Sequence, residues 1–549
     1  MNRSVRLLVS LVTALALSVG GASAQVEDLQ VPGAVVGTDD LGMESEAAVR
    51  RPLGIEEAVA LSLANNLEVE VERFAPLIAG TEEQGAWGAY DPRLAADFSY
   101  DVRKSPNTFS LNAAPFNIDR ERGGGVGIEQ LIPYIGASLG IRYEASDRTT
   151  NSTLQALDPQ FDTSVFLTAR IPLARDLIWN EPWTQVKVRA SQYRASRESF
   201  RSLIMDTTQS TVDTYWGLVA ASEQVRVARK SLETARALLE QVKTQYEVGV
   251  VSQVEVVEAE AGVAGREFDL INAANEYRNV QDRLIDRVLG ADLDATTELQ
   301  LVPTEDAQAY RIRTIDVGEA VSVAFRQRPE LRVADRQIEQ GELDLKFARN
   351  QRLPEFDVEV RYGFVGITGE GNPDLQFGTP SDAGDFGDSH DDFFQPDGAD
   401  NLRVTGTFSI PFPNTTARKR VSRSQLELRR SQTRKLRTEQ QIILDVREAA
   451  RTLRASEEGI EAAERRRLAA EEQLRAERIR LEHGESTPFE VLQRESDLVE
   501  AESQKIEALR SYREAETALE RSQGTILDFY KVRLEEAWQP SREARAARW

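Results

Sequence analysis

The 549-residue chain is written twice. LGIEEAVALSLANNLEVEVE at 53–72 aligns with IDVGEAVSVAFRQRPELRVA at 315–334 at a constant offset of 262 residues. Carried forward, that offset sets Pro92 on Pro354 and Tyr100 on Tyr362. Further on, YEVGVVSQVEVVEAE at 246–260 has its partner in LEHGESTPFEVLQRE at 481–495, with Gly249 on Gly484, Ser252 on Thr487 and Glu255 on Glu490. Self-similarity of this kind means related structural units built on one plan. At both tips a glycine ends a helical run, and a capping box, Ser252 with Glu255 and Thr487 with Glu490, starts the next. Pro488 sits in the first turn of the second restart, where its missing N–H costs nothing. Each unit therefore contains a sharp helical hairpin.

Periodicity extends the hairpins in both directions. Each copy reads helix, strands, long helix, glycine turn, helix. Helices are expected over 53–89, 182–248 and 252–289, and again over 315–351, 415–483 and 487–527, with strands in 93–173 and 355–411. The first repeat then occupies 53–290 and the second 315–527, with a linker at 291–314. A helix of about 67 residues is about 100 Å long. The two shorter helices of the same copy reach that length when stacked end to end, which predicts one continuous helix beside two abutting ones. Leu218, Ala221, Val225, Ala228, Leu232, Ala235, Leu239, Val242 and Tyr246 alternate spacings of three and four, a coiled-coil seam. It resumes at Val254, Val257, Ala261, Ala264, Phe268 and Ile271. In the second copy Ile460, Ala463, Ala470, Leu474 and Leu481 keep the register while Arg467 and Glu477 interrupt it.

LAADFSYDV, GASLGIRYEA, DTSVFLTARI, EFDVEVRYGF and NLRVTGTFSI alternate apolar and polar residues over about the nine to eleven positions of a tilted membrane strand. Phe98, Tyr100, Tyr143, Phe166, Tyr362 and Phe408 are candidates for interfacial girdles, although a small soluble sheet has the same alternation. Pro172 and Pro411 end the last strand of each copy and release the chain into the long helix. Two spanning strands per copy make four per chain, and the smallest outer-membrane barrels have about eight. Several chains must then share one barrel. GVGIEQLIPYIGASLGIRY offers a further pair, either spanning or an extra hairpin. The fold class is α+β, mostly α.

Composition removes several function classes. There is no cysteine, hence no disulfide, thiolate metal site or cysteine nucleophile. A formal charge of −23 argues against a nucleic-acid partner. Residues 1–24 read as a secretory signal peptide: Arg3 and Arg6, then LLVSLVTALALSV, then ASA before Gln25. No later segment offers the ~18 uninterrupted apolar residues of a spanning helix. Residues 25–52 and 528–549 are polar and aperiodic and read as tails. His390 and His483 have no second ligand at zinc spacing. Phosphate loop, nucleophile elbow and dinucleotide fingerprint are all missing, so neither catalysis nor a cofactor is expected. Residues 369–400 hold nine acidic residues and no Lys or Arg, and read as a solvated loop; the alternative is a calcium site on Asp385, Asp388, Asp391 and Asp392, whose spacing is not the EF-hand pattern.

The duplicated openings EEAVALSLANN and GEAVSVAFRQRPEL, the proline at each strand-to-helix passage and the two glycine tips together make a chain that resembles the TolC-like outer-membrane efflux protein family over nearly all of 53–527. The resemblance implies a homotrimer. Four strands per chain would form a twelve-stranded barrel in outer-membrane lipid, above a hollow periplasmic cylinder of helices. It implies a passive exit duct of a tripartite efflux or type I secretion system, docked by a periplasmic membrane-fusion adaptor and fed by an inner-membrane transporter. Carried over by position, the adaptor-docking tips are Val248, Gly249, Val250, Val251 and Ser252, and His483, Gly484, Glu485, Ser486 and Thr487. The carboxylates of the periplasmic aperture fall on Glu255, Glu258 and Glu490, while Gln493 departs from the acidic pattern. The rival readings are a periplasmic coiled-coil adaptor and an envelope scaffold. The whole-chain duplication speaks against the first, and the strand pairs between helices against the second.

Overall fold

The computed structural model describes residues 49–106, 115–294, 299–306, 308–310, 313–378, 384–394 and 399–533. The expected signal peptide and residues 534–549 lie outside them. In chain order the elements are β1 (Val49–Leu53), α1 (Ile55–Asn65), α2 (Leu67–Ala86), β2 (Arg93–Pro106), β3 (Phe116–Leu131), β4 (Ser138–Thr150) and β5 (Leu157–Pro172). There follow α3 (Glu181–Glu247), α4 (Gln253–Leu289), β6 (Leu299–Pro303), α5 (Val317–Gln327), α6 (Pro329–Asn350), β7 (Glu355–Gly371) and β8 (Ala399–Ser409). The chain closes with α7 (Thr415–Glu482), α8 (Pro488–Gln523) and the short α9 (Ile526–Phe529). β1 and β6 pair in a two-stranded sheet of their own, in which Arg50 Nε donates to Gln300 Oε1 at 3.2 Å.

The long helices fall where the periodicity sets them. Asn180 starts α3 by accepting the Trp183 N–H at 2.9 Å, with a proline in the first turn. α3 then runs 67 residues. Its seam is buried at Leu218, Ala221, Val225, Ala228, Leu232, Ala235 and Val242, while Tyr246 near the tip is exposed. In α7 the two seam breakers are neutralised within the helix, Arg467 by Glu464 and Glu471 and Glu477 by Arg480.

The opening helix of each copy, expected to be continuous, is broken once. Asn66 leaves the helical region (φ −63°, ψ 124°) and its side chain accepts the N–H groups of Glu68 and Val69, which caps α2. Arg328 breaks the second copy at the matching place because it precedes Pro329, whose ring disfavours a helical residue before it. These breaks make the end-to-end stacking concrete. α4 ends at Gly290 (φ +54°), where a Cβ would lie 1.9 Å from the Asn65 carbonyl oxygen, and Asn65 Nδ2 donates to Val288 O at 2.8 Å. α8 ends at Gly524 (φ +81°), whose Cβ would sit 3.0 Å from the Gln327 carbonyl carbon. Each copy thus seats a helix C-terminus on the break in its own first helix, with a joint only glycine allows.

The main sheet departs from expectation in strand number. It has six antiparallel strands in the order β2-β3-β4-β5-β7-β8, four from the first copy and two from the second. The extra pair, β3 and β4, lies inside the sheet between β2 and β5. Only the second half of β3 shows in the sequence, because Gly123, Gly124, Gly125 and Gly127 carry no side chains to alternate.

Candidate functional site

Two regions carry chemistry: the tips of the hairpins and the two faces of the sheet. At the first tip Val248 caps α3, Gly249 adopts φ +79°, and the Gly249 and Val250 amides donate to the Tyr246 and Gln245 carbonyls, both at 2.9 Å. At the second, Gly484 adopts φ +75°, and the Gly484 and Glu485 amides donate to Leu481 (3.0 Å) and Arg480 (2.9 Å). Both are Schellman turns, and among the described residues nothing beyond its own chain neighbours lies within 4 Å of a Cβ built on either glycine. Val248 and Val250 are 70% and 72% exposed, more than any structural turn requires of valine. His483 and Glu485 are exposed as well, while Val251 packs into the hairpin core.

The two capping boxes differ. Thr487 Oγ1 accepts the Glu490 N–H at 3.4 Å. Ser252 has the extended cap backbone, but its hydroxyl makes no cap bond, a correction to the sequence expectation. Ser252 is exposed and unbranched, whereas the β-branched Thr487 has fewer rotamers to leave. Glu490 is exposed; Glu255 and Glu258 are half-buried, and one Glu255 oxygen is buried without a hydrogen-bond partner among the described residues. The hairpins lie side by side: Leu238, Val242 and Ala259 of the first form one core with Leu474 and Val491 of the second, so both tips close the same end of the molecule. Between them sits a group the sequence did not single out, Glu495. Burial pushes its carboxyl above the ordinary range, against the pull of Arg266 and Arg478.

The sheet separates its faces by parity. Leu94, Ile128, Ile141, Leu167, Tyr362 and Leu402 form one row in direct register across all six strands. All six are exposed apolar side chains. Ala169, Val360 and Val404 continue this face on one side of the row, and Val126, Tyr143, Val165 and Phe364 on the other. The opposite face is charged. Arg142 pairs with Glu144 (2.6 Å) and Asp97, Arg148 with Glu121 (3.2 Å), and Arg170 with Asp357 (2.5 Å). Phe166 belongs to this polar face and not to a girdle, since it lies in register with Arg142 and stacks under the Arg361 guanidinium at 3.6 Å. The acidic loop is not wholly free either. Its 3-10 segment Asp388–Phe394 packs on the far end of the apolar face, where His390 stacks on Tyr143 and its Nε2 lies 2.9 Å from the Tyr143 hydroxyl. The loop carboxylates serve the loop itself: Asp385 Oδ1 accepts the Gly387 amide and Asp388 Oδ2 the Asp385 amide, both at 2.7 Å.

A sheet apolar on one face and charged on the other, continuous with helical hairpins far longer than a bilayer is thick, is the pattern of a protein anchored in a membrane by its sheet. Among the described residues no helix is long and apolar enough to cross a membrane, so the sheet is the element with a lipid-type surface. The family model of the outer membrane efflux proteins matches residues 107–290 and 320–525. The chain belongs to that family. It is an outer-membrane protein with a periplasmic helical part, and its family consists of efflux channels, which are not enzymes. It is 23% identical over 224 residues to the pyoverdine export outer membrane protein OpmQ of Pseudomonas putida. That match spans 41% of this chain and 45% of OpmQ, less than half of the relative's length. Among solved structures, the CmeC outer membrane channel of Campylobacter jejuni has the same fold with a TM-score of 0.60, 14% identity and coverage of 89% of this chain and 90% of its own. The open-state MtrE channel of Neisseria gonorrhoeae gives 0.56, 15%, 86% and 89%.

Proposed function

We propose that the protein is a homotrimer that conducts substrate passively from an inner-membrane transporter and a periplasmic adaptor to the exterior. The observation that carries this reading is the unpartnered seam of α4. Val254, Val257, Phe268 and Ile271 keep coiled-coil spacing and are each more than half exposed, with Ala261 and Ala264 exposed between them. An a/d stripe of that length has no reason to face water. A second copy of this chain covers it when the helical walls join edge to edge around a common axis. The relative OpmQ supports a small-molecule cargo.

In this reading residues 248–252 and 483–487 are the adaptor-docking tips, and Glu255, Glu258 and Glu490 line the aperture. Three copies of each carboxylate near one axis repel one another and attract cations. The test replaces Gly249 and Gly484 by tryptophan. Open space surrounds both positions, so the fold loses only the strain of a left-handed residue, about 1–2 kcal/mol each. Membrane fractionation and detergent sizing will find the variant in the outer membrane as a trimer. Export will fall by more than about tenfold, which corresponds to ~1.4 kcal/mol of lost docking. Unchanged export removes the tips from docking, and recovery of the unmodified chain as a soluble monomer ends the duct reading.

A further inference from the structure

We propose that three copies close an eighteen-stranded barrel, with β8 of each copy pairing antiparallel to β2 of the next and the β3–β4 hairpin built into the wall. This rests on the trimer proposed above and changes its barrel: four strands per chain give twelve, and this sheet has six.

The hairpin cannot be set aside from the wall. It joins β2 to β5 by continuous antiparallel pairing, and both faces run through its helix-side half as far as Gly124 and Ala145, beyond which Arg122 and Asp147 take over the apolar side. Ile128 and Ile141 supply two of the six residues in the apolar row. On the polar face Arg142 of β4 reaches across β3 to Asp97 of β2. A strand pair outside lipid has no use for an exposed Ile128–Ile141 pair in register with its spanning neighbours.

The edges point to a second copy as the occupant. β2 and β8 are the outer strands of the sheet, 14 and 11 residues long. Through the middle of the apolar face neither edge carries a charge or proline to blunt it: Leu94, Phe98, Tyr100 and Val102 stand on one, and Leu402, Val404 and Phe408 on the other, while the charges of the same parity, Lys104 and Asp400, stand only at the ends away from the helices. Unpaired amides in hydrocarbon cost several kcal/mol each, so such edges must be paired. Six alternating strands leave β2 and β8 running in opposite directions, so a head-to-tail contact is antiparallel and closes into a ring.

Charge sets the register of that contact. Arg403 on β8 lies opposite Arg361, a like-charged cross-strand pair, and has no anion among the described residues. Asp101 on the polar face of β2 likewise has no cation, among the described residues. Following direct partners across the sheet, Arg93 leads through Glu129, Gly140, Thr168 and Arg361 to Arg403. The path starts at the first residue of β2 and arrives six residues short of the end of β8 at Ser409, so each chain climbs about six residues. Continued onto the next copy, the climb sets Arg403 beside Ser99 and Asp101 of its β2.

The natural absence of cysteine makes the seam testable in the full-length trimer. Asp101→Cys with Arg403→Cys, and in parallel Ser99→Cys with Arg403→Cys, will on oxidation give a covalent dimer and trimer and nothing larger in at least one register, while the single variants give none. A fluorophore on Ile141→Cys will lose about half its emission or more to lipid-borne quencher, and one on Glu144→Cys will respond only to a water-soluble quencher. An Ile141 label that lipid does not quench, in a chain that still cross-links into trimers, puts the hairpin outside the wall and overturns the eighteen strands while leaving the duct. A trimer by sizing that cross-links in neither register overturns the seam. Absence of any trimer before oxidation is failure of the parent reading instead.

Discussion

A Leu167→Arg chain will not accumulate in the outer membrane, while Ser146→Arg will insert normally. Leu167 stands in the middle of the apolar face, between Ile141 and Tyr362, with Ala169 and Ile171 toward the helices and Val165 and Thr163 toward the far end. Arginine at the midplane of a membrane barrel costs about 2–4 kcal/mol, and the arrangement repeats in every copy that shares the barrel. Ser146 lies on the polar face opposite Asp162, where a cation gains a partner. Fractionation, followed by urea titration of whatever inserts, reads both. If Leu167→Arg inserts as well as Ser146→Arg, the apolar row does not face lipid.

How much of this was legible depended on whether the signal was local. The hairpins were readable because a glycine and a cap are punctuation within a few residues, and the 67-residue α3 because its seam keeps one period throughout. The breaks at Asn66 and Arg328 had local marks, an Asn-Asn pair and a following proline, that a continuous helical period overrode. β3 was hard to see because alternation needs side chains, and Gly123, Gly124, Gly125 and Gly127 supply none. Phe166 fell on the wrong face because an aromatic in a strand was read by type and not by parity with its neighbours. The joints at Gly290 and Gly524 needed contacts between residues more than two hundred positions apart in one copy and nearly two hundred in the other. The same holds for the buried charges that lock the second joint.

Those charges carry the second large effect. At the break between α5 and α6, Glu330 accepts from Arg328 Nη2 and from Arg521 Nη2, both at 2.9 Å. Arg328 donates onward to Asp445 of α7 at 2.8 Å, and Arg521 to Asp206 of α3 at 2.6 Å. One carboxylate therefore ties four long helices together where α8 ends. Burial raises the Glu330 pKa, but the hydrogen bonds from Arg328 and the charges of Arg521 and Arg328 outweigh it and hold the group down at about 2, from 4.5. Glu330→Gln leaves Arg328 and Arg521, only 11% and 10% exposed, short of half their compensation. The expected loss is about 2–3 kcal/mol at pH 7, below the full cost of breaking a buried pair because a quarter of the Glu330 side chain meets water. Because the folded pKa is depressed, this stabilisation is complete above pH 4.5 and disappears as pH falls toward 2, where parent and variant unfold alike. Glu276→Gln removes the exposed pair with Arg283 and will shift stability by less than about 0.5 kcal/mol. Equal urea midpoints for the two variants at pH 7 would mean that the joint is held by its glycine and helix packing, and that the charges only decorate it.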